Sequence, residues 1–216
     1  MAWLCAAAMT GISFQAARTG LIAVGQRFDR RGWAPATAGN YSARLDDGRF
    51  AITVSGKHKG RLTEADIMLV DAQGHSLDGK KPSAETWLHM MLYRDFPHVG
   101  AVLHSHATTG VALARLMADA DGWTISGHEM LKVLPGIATH DTSVTLPIVD
   151  NSQDMYAIEV ALGDRLRGPD ATSAYVIRSH GLYGWGRDID EAERVIEGIE
   201  WLGEVELHEM RVRRSA

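Results

Sequence analysis

Apolar positions along the chain follow two periods. Phe14, Ala17, Leu21, Val24 and Phe28 recur three or four residues apart, and Ala84, Trp87, Leu88, Met91 and Leu92 fall at i, i+3, i+4, i+7 and i+8, the spacing that lines one side of an α-helix. Both segments are expected to be helices facing a core. Asn151 or Ser152 can cap a third helix carrying Met155, Ile158, Ala161 and Leu162, because a side-chain oxygen there can accept a hydrogen bond from an unpaired amide of the first turn. Asp188 or Asp190 can open a fourth through Ala192, Val195, Ile196, Ile199 and Leu202, and a fifth is expected over 107–119. Between them lie short β-branched or apolar runs of strand length: "RFAITVS", "DIMLV", "VGAVLH", "VTLPIV", "SAYVIR" and "LYGWG". Helices and strands interleave without a repeat, a low-complexity tract or a Pro/Gly linker. The pattern therefore predicts one α/β domain over residues 1–216, helices around one sheet, with the strand order unreadable.

Composition narrows the partners. With 45% hydrophobic and 23% charged residues the chain has globular composition, and its formal charge of -5, without a run of like charge, offers no basic surface to a nucleic acid. Cys5 is the single cysteine, which excludes an internal disulfide or a Cys-rich zinc knuckle and fits a reducing cytoplasm. The opening "MAWLCAAAM" lacks a basic flank and is too short to span a bilayer, so neither a targeting segment nor a membrane partner is expected.

Candidate chemistry starts at "AVLHSH". Residues two apart on a strand share a face, so His104 and His106 can converge on one ion while Ser105 faces the other way. A third ligand can come from His180 in "AYVIRSHGLYGWG", where Gly181 lets the backbone turn or approach closely. Three imidazoles without thiolates suit zinc or another borderline divalent metal in an open, reactive site. Two stretches look built for an anion: "PATAGNYS", with Gly39 and Asn40, and "TVSGKHKGR", with Thr53, Ser55, Gly56 and Lys57. Both also read as ordinary polar turns. "KPSAE" adds Ser83, equally a helix cap, and Glu85, whose charge suits a first helical turn. His58, His75, His98 and His208 have solvated surroundings, and His89 and His140 carry no assigned role.

"ATAGNYSAR", "TVSGKHKGRL", "KPSAETWLH", "AVLHSHA" and "RSHGLYGWGRD", in this order and at these separations, resemble the class II aldolase family of zinc-dependent sugar-phosphate enzymes over nearly the whole chain. The resemblance implies a three-layer α/β fold with a mostly antiparallel central sheet flanked by helices, and a homotetramer with active sites near subunit boundaries. It implies one zinc per subunit on His104, His106 and His180, with a sugar phosphate held by the loops containing Asn40, Ser55, Gly56 and Ser83. "SGKHKGRLTEADIMLVD", "GHEMLKVL" and "LPIVDNSQDM" are most similar to the dehydratases of the family. There the glutamate of the "GHEM" motif, here Glu129, is the acid/base, whereas in the aldolases a carboxylate at the position of Glu85 serves. The expected activity is that of a lyase eliminating water from a sugar phosphate; aldol cleavage or epimerisation at the same metal is the alternative.

Overall fold

The structure is a computed structural model that describes residues 11–168 and 170–215; "MAWLCAAAM" lies outside the described residues. Eight strands form one sheet in the order β3-β2-β1-β4-β8-β7-β6-β5. They are β1 Asn40–Arg44, β2 Phe50–Thr53, β3 Ile67–Val70, β4 Ala101–Ser105, β5 Gly122–Ser126, β6 Ser143–Val149, β7 Ala174–Ile177 and β8 Gly181–Gly186. Among the described strands β6 and β7 are the one neighbouring pair that runs parallel.

Among the described residues five α-helices cover the sheet: α1 Phe14–Arg30, α2 Thr86–Asp95, α3 Thr108–Leu116, α4 Met155–Leu162 and α5 Ile189–Ser215. Strand side chains alternate between two cores, as the pleat requires. Ala101 and Leu103 of β4 join Leu21, Val24 and Phe28 of α1 and Val195, Ile196 and Ile199 of α5 on one side; Val102 joins Leu88 and Leu92 of α2 and Ile158 and Leu162 of α4 on the other. This is the three-layer arrangement expected. Among the described residues no helix is long and apolar enough to cross a membrane.

The helical periodicity places all five helices, with differences at their ends. Asp154, rather than Asn151 or Ser152, caps α4, its side chain accepting the Tyr156 amide. Asp188 does serve the start of α5, accepting the Glu191 amide at 2.8 Å. Trp87 leaves the core-facing stripe of α2: it is 43% exposed and its indole N–H donates to Glu159 at 2.6 Å, since a ring with a polar tip is best satisfied at a wet edge. Two strands escape the pattern. β1, "NYSAR", is fully buried yet rich in residues disfavoured in strands, and β5, "GWTIS", is a short strand at the end of the sheet, buried only at Trp123 and Ile125.

Candidate metal centre and active site

Strand β4 carries His104 to the sheet centre, and the residue just beyond its end, His106, is fixed by its own amide donating to the Trp33 carbonyl at 2.8 Å. His180 sits in the tight β7–β8 turn, after Ser179 in the left-handed region (φ 60°). Glu85 occupies the N-cap position of α2, where Ser83 Oγ accepts its amide at 3.3 Å. Two glycines let these backbones meet. A Cβ on Gly39 would stand 2.7 Å from the His104 carbonyl oxygen, and one on Gly181 only 2.0 Å from that of Ser105. The four side chains thus converge: one ligand atom each from Glu85, His104, His106 and His180 lies within 4.8 Å of all the others.

The donor set fits a divalent cation. His104 Nε2 and His180 Nε2 are 3.3 Å apart, close to the roughly 3.3 Å between two ligands held about 2.0–2.1 Å from a tetrahedral centre. His104 Nδ1–H donates to the Leu182 carbonyl at 3.1 Å, a contact that fixes the tautomer and leaves the Nε2 lone pair free. Its ring stacks on Tyr183 with centroids 4.1 Å apart. Burial holds His104 well below the usual imidazole range and takes His106 down to about 4, so both are neutral, the form a metal requires. Burial alone would raise Glu85, but the hydrogen bond from His180 Nε2, at 2.7 Å, together with the pull of the neighbouring imidazoles when they are protonated, outweighs it and holds the carboxyl at about 2.

Behind the cluster runs a line of buried hydrogen bonds. The Asn40 amide donates to Glu85 Oε2; Asn40 Oδ1 accepts from His89 Nε2; His89 Nδ1 meets Ser42 Oγ at 2.7 Å; and Ser42 Oγ meets the Tyr93 hydroxyl at 2.8 Å. His89 is fully buried and burial drops it to about 3, so it acts here as a neutral donor and acceptor. The sequence reading left His89 aside. The available signal was its position four residues after Glu85 on a helix, which puts both on one face.

A cavity of about 340 Å³ opens on the cluster. Its wall brings together Asn40, Thr53, Ser55, Gly56, Ser83, Glu85, His106 and His180, and adds Ser152 and Gln153. Lys57 is not in this wall and pairs with Asp66 at 2.9 Å; the lysine in the wall is Lys59, 1% exposed, donating to the Thr37 and Lys57 carbonyls at 3.0 and 2.6 Å. Burial lowers Lys59 to about 8, with Glu85 pulling it back up. Three cations crowd "GKHKGR", and spacing alone does not tell which one turns inward. Glu129 stands outside the cavity wall, with its side chain 69% exposed and paired with Lys132 at 2.5 Å and His140 at 3.2 Å.

Residues 19–207 match the family described as "Class II Aldolase and Adducin N-terminal domain". The chain is 46% identical, over 95% of its length and all of the relative's, to methylthioribulose-1-phosphate dehydratase of Methylococcus capsulatus. It is 47% identical to the protein of that name from Gluconacetobacter diazotrophicus, over 90% of this chain and 94% of the relative. Among solved structures, L-fuculose-1-phosphate aldolase of Thermus thermophilus superposes with a TM-score of 0.71 at 26% identity, covering 92% of this chain and 96% of that one.

Proposed function

The chain belongs to the class II aldolase and adducin family, and from that premise we propose that it dehydrates 5-methylthioribulose 1-phosphate to 5-methylthio-2,3-dioxopentyl phosphate in methionine salvage. The observation that carries the reading is the likeness to dehydratases of that name along most or all of their length, joined to a three-histidine cluster that opens on a cavity rich in hydrogen-bond donors for an anion. We assign zinc to the cluster, one per subunit, held by His104, His106 and His180. When bound, zinc supplies a Lewis acid that polarises the C2 ketone and stabilises the charge developing beside it.

The chain's own residues supply the remaining work. Ser55, the Gly56 amide, Ser83, Asn40 and the Lys59 ammonium are suited to hold the C1 phosphate, Lys57 being close in sequence but ion-paired elsewhere. Holding that end fixes which carbon meets the acid/base. The reaction takes the proton from C3, releases the C4 hydroxyl as water, and moves a proton to C4 as the enol becomes the diketone. Two carboxylates serve the proton steps in this proposal. Glu85, ionised in the cavity wall, is suited to take the C3 proton. Glu129, assigned by the "GHEM" motif, would act across a subunit boundary of a homotetramer as the acid for the leaving hydroxyl. The enzyme would work in the cytoplasm.

Aldol cleavage is the second reading, favoured by Glu85 lying among the metal ligands. Mass spectrometry of a reaction with 5-methylthioribulose 1-phosphate separates the two. One product lighter by a water, with its carbon chain whole, supports dehydration; dihydroxyacetone phosphate plus an aldehyde sinks it. Glu85→Gln and Glu129→Gln should each lose about 10²-fold in turnover, and a variant with near-normal turnover removes its residue from the proton steps.

A further inference from the structure

A second cavity, of about 750 Å³, touches the same cluster from another side: it shares His106 and His180 with the first and is otherwise lined by Pro35, Ser179 and one stripe of α3. That stripe is Thr108, Val111, Ala112, Arg115 and Leu116, the i, i+3, i+4, i+7, i+8 set of one helix face. Leu113 and Ala114 bury the opposite face of α3, so the stripe is not needed for the core. Leu116 is 49% exposed, and Val111 and Ala112 are half-buried.

The two cavities differ in chemistry. Hydroxyls, Asn40, Lys59 and Glu85 dominate the first, whereas Pro35, Val111, Ala112 and Leu116 give the second a largely apolar wall. Its one cation, Arg115, is turned toward Ser179 Oγ at 3.4 Å. A ligand reaching from one cavity to the other must pass the two shared histidines with an anionic group on one side and an apolar group on the other.

We propose that this α3 face is the subsite for the apolar end of the substrate, the thioether on C5, and that Val111, Ala112 and Leu116 set specificity for it. The assignment rests on the dehydratase reading for the identity of that end. It explains why apolar side chains stand exposed beside reactive imidazoles, and it gives the chain a means to prefer a thioether over a C5 hydroxyl. Removing a methylthio group from water corresponds to roughly a tenfold gain or more in affinity.

The test compares 5-methylthioribulose 1-phosphate, its ethylthio and butylthio homologues, and ribulose 1-phosphate, by kinetics and by calorimetric binding to the metal-loaded protein. Ala112→Phe should raise KM for the methylthio compound about tenfold and for the butylthio compound more, with kcat within threefold. The affinity of ribulose 1-phosphate and of inorganic phosphate should stay within twofold, with metal content unchanged. Leu116→Asp, at an exposed position that tolerates change, should weaken the thioethers selectively in the same way. Equal losses for thioether and hydroxyl compounds, or no loss for either, overturn the subsite. So does a change in oligomeric mass with equal losses, which would make the α3 face a contact between copies of the chain. If the wild-type protein yields no dehydrated product, the functional reading fails by itself, and the binding comparison still decides whether this cavity takes an apolar tail.

Discussion

Two carboxylates, one half-buried and one buried, flank the region where β4 ends, and they behave in opposite ways. Glu85 lies among the three histidines and is held at about 2 because the His180 hydrogen bond and the imidazoles, when protonated, outweigh its burial. Glu200, on α5, meets the other side of the strand: Ser105 Oγ at 3.5 Å and the Gly110 amide at 3.2 Å. There burial dominates and pushes the carboxyl up to about 7; the two hydrogen bonds oppose the shift only in part, and Glu204 adds to it. Desolvation has the same sign in both places, so the neighbours decide the charge. A period of two residues is what separates the environments, since His104 and Ser105 must face apart.

The largest effect should come from stripping Glu85 of what distinguishes it. His180→Ala removes a metal ligand and, in the metal-free protein, the hydrogen bond to Glu85. Metal analysis of the purified variant should show most of the metal gone, and turnover should fall by about 10³-fold or more, the scale of losing an ion that acts as Lewis acid. Full metal content with full turnover would show that the cluster is wrongly drawn.

A smaller effect should follow from disturbing the line behind Glu85. His89→Phe keeps a ring in the space but leaves Asn40 Oδ1 without its donor and Ser42 Oγ with the Tyr93 hydroxyl alone. Outer partners of a metal-site residue typically matter by about 10- to 100-fold, so turnover should drop by that order while metal content is largely retained. His89→Gln, whose amide can again donate to Asn40, should recover most of the loss. If the Phe and Gln variants behave alike, the line contributes packing and no orientation.

What the sequence made legible follows from which signals are periodic. The His-x-His pair, the opposite facing of Ser105 and the close approach at Gly181 all follow from strand geometry, and the structure bears them out. The helices follow from a period sustained over several turns. β1 does not, because "NYSAR" is polar where a buried strand is usually apolar. Its Asn40 is needed for the contact with Glu85, its Ser42 for the contact with His89, and its Arg44 for the carbonyls of Val99 and Tyr93. Lys59 and His89 were hidden for a different reason: their roles depend on which of several similar residues the fold turns inward. Strand order depends on pairing distant segments, and no local pattern carries it.

The smallest effect, and the one that tests the comparison most directly, concerns Glu200. Its folded pKa lies above the usual carboxyl value of 4.5, at about 7. Between those values this group binds its proton more tightly in the folded state than in the unfolded state, so the Glu200 contribution to stability falls as pH rises from about 4.5 to about 7 and then levels off. Above pH 7 the carboxylate is charged in both states, and the folded protein bears the desolvation of a buried charge. Glu200→Gln keeps an oxygen for the Gly110 amide and offers an amide hydrogen to Ser105 Oγ without that charge. The variant should therefore match the wild type near pH 4.5 and exceed it at pH 8 by on the order of 1 to 3 kcal/mol, or several degrees in Tm for a chain of this size. Calorimetric scans at the two pH values measure it. The same gain at both would mean that packing, not charge, is responsible. Metal content should not change in this variant, because Ser105 faces α5 while His104 faces the cluster; a loss of metal would show that the two sides of β4 are not independent.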